Sequence, residues 1–100
     1  MQISVQIPES PSHKEWHRAV EWHFALTLRP LGGRIKRVDF WLRVDRDGRE
    51  TPVFVSRLAA HTGRDSVIVQ TSHPDARTSI AMAFSRARRD VLRRVGTYRA

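Results

Sequence analysis

The sequence predicts a small α+β domain of order β-α-β-β-β-α, with a four-stranded mixed sheet and two helices on one of its faces. Three observations carry this. Residues 76–100 repeat apolar side chains at helical spacing among seven arginines, residues 35–44 alternate apolar with polar side chains, and Gly/Asp turns cut the middle of the chain into strand-length pieces. One hundred residues suffice for one modest two-layer core, so residues 1–95 are expected to form a single domain with 96–100 as a short flexible tail.

From Gln2 to Ile7 the chain alternates, with Ile3, Val5 and Ile7 of one parity, and Pro8 stops this first strand. A helix follows. Ser10 before Pro11, or Ser12 with Glu15 three residues on, offers a start, and Trp16, Ala19, Val20, Phe24 and Ala25 or Leu28 recur at helical spacing up to Arg29-Pro30. Trp22 is six residues from Trp16, so both cannot face the core, and Trp22 is expected to be partly exposed. Leu31-Gly32-Gly33 breaks the chain before the second strand, Ile35 to Val44. There Val38, Phe40, Leu42 and Val44 take one parity and Arg37, Asp39, Trp41 and Arg43 the other. Asp45–Gly48 turns, Phe54 to Ala60 returns as a third strand, His61–Asp65 turns again, and Ser66 to Thr71 is a fourth. A strand, crossover helix and strand form a right-handed unit, so the first two strands should be parallel and the others add as an antiparallel meander. Both helices then cover one face. The other face is left to water, which accounts for the alternation of the second strand.

The last helix carries the functional signal. Ile80, Phe84, Ala87, Val91 and Val95 make one apolar stripe, while Arg77, Arg86, Arg88, Arg89, Arg93, Arg94 and Arg99 stand against the single acid Asp90. Over the whole chain 18 basic and 10 acidic residues give a net charge of +8, and 16 of the 18 are arginine. Residues 51–100 hold 9 basic and 3 acidic groups, against 9 and 7 in residues 1–50, so the field is concentrated in the C-terminal half. Arginine's planar fork pairs bidentately with phosphate and stacks on bases, which favours RNA as the ligand over a merely solvated basic surface.

Several classes are excluded or disfavoured. With no cysteine there is no disulfide scaffold, thiolate metal site or cysteine nucleophile. There is neither an apolar run long enough to span a membrane nor a signal-like start, so a cytoplasmic protein without membrane contact is expected. His13 and His17, four apart on the first helix, and His23 beyond them could approach a metal, but the sequence places no third ligand and a solvated helix face is the expectation. His61 with Asp65 and His73 with Asp75 could supply an acid and a base for RNA cleavage. Both pairs fall at turns or a helix start, where Asp caps backbone N–H groups, and neither a metal, a cofactor nor an enzymatic activity is expected. Trp41 has the parity of the open face between Arg37 and Arg43. It offers a stacking platform for a base, or is covered by an arginine stem or the chain tail.

The segment Val67-Ile-Val-Gln-Thr-Ser-His-Pro-Asp75, with Ala76-Arg-Thr-Ser-Ile80 and the helix ending Phe84-Ser-Arg-Ala-Arg-Arg-Asp-Val-Leu-Arg-Arg94, resembles the fourth strand and last helix of the bacterial ribosome hibernation promoting factors, also called ribosome-associated inhibitor or sigma-54 modulation proteins. Met1-Gln-Ile-Ser-Val5 and Ile35-x-x-Val38-x-Phe40-x-Leu42 are similar to that family's first two strands. The resemblance implies a domain shaped like a double-stranded RNA-binding domain, in a short form of the family and monomeric off the ribosome. Such a domain would occupy the decoding region of the small ribosomal subunit through its 16S rRNA and block messenger and transfer RNA. It also implies that Arg86, Arg89 and Arg93 occupy the family's basic positions on the last helix. Arg77, Arg88 and Arg94 on the same helix, and Arg37, Trp41 and Arg43 on the second strand, are the further candidate RNA contacts. A stand-alone regulator that binds structured RNA, or a small ribonuclease, are the alternatives.

Overall fold

In a computed structural model, β1 (Gln2–Gln6), α1 (His13–Thr27), β2 (Arg37–Asp45), β3 (Val53–His61), β4 (Ser66–His73) and α2 (Ala76–Arg99) follow in the expected order. The structure describes residues 1–48 and 50–99, the last five of these by backbone only. Strand order is β1-β2-β3-β4, with β1 parallel to β2 and both later pairs antiparallel. The two helices run parallel to each other: Glu15, near the start of α1, meets Arg77, and Thr27, at its end, meets Arg88.

The helix-facing side of the sheet is built from aligned rows. Val38 pairs with Ala60 and Ala60 with Val67; Phe40 pairs with Leu58 and Leu58 with Val69; Leu42 pairs with Ser56 and Ser56 with Thr71. Onto these rows α2 lays Ile80, Ala83, Phe84, Ala87 and Val91, all buried, and α1 lays Ala19, Val20 and Phe24, with Leu28 at its C-cap. Phe84 lies parallel on Phe40, ring centroids 5.4 Å apart. The stripe has the helical period the sequence predicts; its last expected member, Val95, has a side chain outside the described residues. Trp16 is half-buried rather than fully in the stripe, closing the far end of the core edge-on against Phe54. Where the last turn of α1 gives way to a 3₁₀ turn over Arg29–Arg34, Gly32 takes φ 58°, a conformation that costs a residue with a Cβ but not glycine.

The buried polar groups among the described residues are bonded to one another or to flanking side chains. The Ser56 and Ser79 hydroxyls share a hydrogen bond of 2.8 Å, and the Thr71 hydroxyl donates to the Ser79 carbonyl at 2.8 Å, so β3, β4 and α2 are tied beneath the apolar stripe. Among the described residues no buried side-chain nitrogen or oxygen lacks a partner. An unpaired hydroxyl there would cost about 1 to 3 kcal/mol, so the trio fixes the height at which α2 sits.

The structure corrects several boundaries. Ile35 is buried but only caps the 3₁₀ turn, in extended conformation, and β2 starts at Arg37. β3 starts one residue earlier than expected and ends one later; β4 gains Ser72 and His73 because the antiparallel ladder continues until Phe54 meets His73. α2 runs on as helix to Arg99, across most of the expected tail, with Ala100 outside the described residues. Ile3, of the parity that faces the helices, is 37% exposed because β1 is an edge strand that the helix pair only partly roofs. The other sheet face is less open than expected: Asp39, Val55 and Ala59 are buried there among longer neighbours.

Because Phe84 fills the middle of the helix–sheet seam, Phe84→Ala should destabilise the domain by about 3 to 5 kcal/mol. A thermal or urea melt within a degree or two of the parent would mean that the seam does not carry the fold.

Candidate nucleic-acid interface

The capping chemistry at the start of α2 aims its arginines. The Asp75 carboxylate accepts from the Thr78 backbone N–H at 2.9 Å and the Thr78 hydroxyl at 2.6 Å, and these bonds hold its pKa below the ordinary value. His73 Nδ1 in turn accepts the Asp75 N–H at 2.9 Å. The pair considered for acid–base chemistry is therefore a helix cap. At the other end Arg94 forms an ion pair with Asp65 in the β3–β4 turn, so α2 is pinned to β4 at both ends. The Asp65 carboxyl is held low by the Ser66 backbone N–H and then by Arg94.

Between these pins the arginines divide into two sets. Arg88 reaches across to α1 and donates to the Thr27 carbonyl at 2.8 Å, satisfying an acceptor that the helix end leaves open. Arg77 pairs with Glu15 of α1 at 3.5 Å. With Arg94, these are arginines whose guanidinium groups are engaged by the fold. Arg86, Arg89 and Arg93 recur at intervals of three and four and share the outward face, along with the exposed Met82 and Ser85. Arg86 donates to the Gln70 carbonyl at 3.2 Å, covering an acceptor on the edge of β4. Arg93 lies 3.9 Å from Asp90, with its side chain 71% exposed. Arg89 is exposed and bonded to nothing among the described residues. The outward row thus presents three exposed guanidinium groups at helical spacing.

The opposite sheet face holds a second group. Trp41 does point there, half-buried, with the Arg57 guanidinium 5.8 Å from its ring centroid, so a neighbouring arginine partly covers it. Arg43 is exposed beside it. Arg37 is committed elsewhere: its Nε donates to Asp39 at 3.0 Å. Asp39 also meets His61 Nε2 at 3.0 Å, and His61 Nδ1 meets the Ser66 hydroxyl at 2.9 Å, a chain that crosses β2, β3 and β4. Burial opposes ionisation of Asp39, but the hydrogen bonds from Arg37 and His61 outweigh it and the pKa falls below the ordinary value. His61 therefore pairs with Asp39 rather than with Asp65 as considered from the sequence. Asp39 and Arg57 escaped sequence reasoning because their roles depend on which β3 residue lies opposite which β2 residue. An acid in mid-strand, where Asp is depleted, was the one available signal.

On α1, His13 Nδ1 lies 3.2 Å from the Pro8 carbonyl and His17 lies 3.4 Å from Glu21, while His23 has its pKa lowered by burial and then by Arg77. Among the described residues no group of three or more ligating side chains could hold a metal, and no helix is long and apolar enough to cross a membrane. Trp22 is 64% exposed, as its spacing from Trp16 requires.

Two measurements test this division. Arg88→Ala should cost about 1 to 2 kcal/mol by leaving the Thr27 carbonyl without its charged donor, whereas Arg89→Ala should stay within about 0.5 kcal/mol of the parent in urea melts. Asp39→Asn should destabilise by about 1 to 3 kcal/mol at neutral pH. Because the folded-state pKa of Asp39 is depressed, its contribution is present above the ordinary carboxylate value and lost as pH falls through the depressed one. The difference between mutant and parent should accordingly shrink on acidification. A difference independent of pH would show that the carboxylate charge is not what stabilises the sheet.

No family model matches the chain, and no curated protein matches it. Solved structures do. A ribosomal subunit interface protein from Coxiella burnetii is similar over 96% of this chain and 99% of its own, with a TM-score of 0.73 and 10% sequence identity. The N-terminal domain of Protein Y from Thermus thermophilus is similar over 93% and 98%, with a TM-score of 0.61 and 16% identity. At such identities the common property is architecture, which survives because a core specifies size and polarity more strictly than residue identity. The chain has the fold of a ribosomal subunit interface protein and of the Protein Y N-terminal domain, the β-α-β-β-β-α arrangement that its sequence predicts.

Proposed function

We propose that this protein is a ribosome-binding factor of the hibernation type, which occupies the decoding region of the small subunit and blocks translation by binding rather than by turnover. The observation that carries the reading is the outward row Arg86, Arg89 and Arg93 on a helix whose opposite face is wholly committed to the core. A rigid helix presents these groups at fixed spacing, so binding phosphate costs little reordering of the backbone. The fold supports the same reading, since one structural neighbour is a ribosomal subunit interface protein. In this mechanism each arginine displaces condensed counterions from an rRNA phosphate, and the bulk of the domain excludes messenger and transfer RNA from the space it fills.

A stand-alone regulator of structured RNA would use the same arginine row but would not prefer ribosomes. The ribonuclease alternative has less support, because Asp75 and His73 Nδ1 are bonded at the α2 cap and His61 at Asp39.

Sedimentation of tagged protein with cell lysate through a sucrose gradient separates these readings. Co-migration with particles that contain the small subunit is expected; protein left at the top of the gradient alongside tight binding to free hairpin RNA would overturn ribosome binding in favour of the regulator. Replacing Arg86, Arg89 and Arg93 together with Ala should lower the slope of log affinity against log salt by about 2 to 3 units, at roughly 0.7 to 0.9 per phosphate contact. An unchanged slope in a folded triple mutant would move the phosphate contacts to another face.

A further inference from the structure

We infer that the sheet face opposite the helices is a second RNA site, which takes an unpaired, single-stranded segment by stacking a base on Trp41 between Arg43 and Arg57. The inference rests on the reading above only for the choice of RNA as the ligand class. Its support is local. Trp41 and Arg57 are cross-strand partners on the two central strands, flanked in the same row by Gln6 on β1 and Gln70 on β4. Gln6, Trp41, Arg43, Val55, Arg57 and Gln70 line one hollow across this face. Of the two acids with this parity on the four strands, Asp39 is buried and neutralised by Arg37 and His61, and Asp45 stands at the last position of β2, where its carboxylate accepts the Asp47 N–H at 3.1 Å.

The chemistry of the hollow favours a single strand over a duplex. An indole face stacks on a base only when that base is free of its neighbours, and guanidinium groups on either side suit the phosphates before and after it. Arg57 already rests against the indole, where it shields the ring from water in the free protein. A bound base takes up that contact, and the guanidinium then serves the adjoining phosphate or stacks on the base. Gln6 and Gln70, exposed at the two edges of the row, carry both donors and acceptors for base edges. The two RNA sites lie on opposite faces of one sheet. The domain would therefore hold paired RNA by its α2 phosphate contacts and an unpaired strand by its sheet.

The test measures binding of two labelled probes at low salt, a single-stranded hexauridine and a 16-base-pair RNA duplex. Trp41→Ala should weaken hexauridine binding about 5- to 150-fold, as loss of one stacked base does, and leave duplex binding within about twofold. The Arg86/Arg89/Arg93 triple alanine variant should do the reverse. Arg43→Gln with Arg57→Gln, both at exposed positions, should weaken hexauridine binding and lower its salt slope by about 1 to 2 units, and this pair decides the matter if Trp41→Ala fails to fold. Hexauridine binding indifferent to both variants, or one lost in parallel with duplex binding, would overturn the second site. Failure here with the protein still sedimenting on small-subunit particles leaves the ribosome reading intact. Loss of ribosome binding with hexauridine still held through Trp41 would remove that reading and keep this site.

Discussion

Everything in this domain depends on the seating of α2 against the two antiparallel hairpin strands β3 and β4 and, through Phe84 on Phe40, against β2. Seven buried positions on one side of the helix leave it a single rotation, because turning it by one residue would bring arginines into the core. The buried hydroxyl trio of Ser56, Thr71 and Ser79 adds a directional restraint that apolar packing lacks, since only one depth of seating satisfies all three. Position and rotation of the helix then decide which arginines face outward. The arginine-rich surface is a consequence of the core rather than a separate feature.

That dependence explains why the seven arginines of the C-terminal quarter are not equivalent. A guanidinium beside α1 finds a helix-end carbonyl or a glutamate, and one beside the β3–β4 turn finds Asp65. Those three stabilise the docking of α2 on its surroundings. The outward three are exposed, so their charge lies toward solvent. In a chain of net charge +8 this partition matters twice. Engaged arginines relieve the self-repulsion that would weaken the fold, while the remaining ones supply the field that attracts a polyanion.

The sheet's other face follows a different logic. It has no second layer, so its side chains must satisfy one another, and they do so by lying across their neighbours: Arg57 on Trp41, Arg37 and His61 on Asp39, Ser66 on His61. The result is a face that is polar and basic yet partly ordered by its own contacts.

The sequence alone determined the element order, the parity of β2 and the apolar stripe of α2, because each is a local periodicity: one side must be apolar, and the spacing of apolar residues declares which. It also determined the charge and its concentration in residues 51–100. The tertiary structure decided what periodicity cannot express. Strand register placed His61 beside Asp39 instead of Asp65 and Arg57 against Trp41, for contacts across a sheet depend on how many residues the turns consume. Edge position left Ile3 exposed although its parity is right, because a residue is buried only when another layer reaches it. Helix docking placed Arg77, Arg88 and Arg94 against Glu15, Thr27 and Asp65 while Arg86, Arg89 and Arg93 stayed outward. A guanidinium's partner is the nearest carbonyl or carboxylate in space, and those of Arg77, Arg88 and Arg94 lie 29 to 62 residues away along the chain.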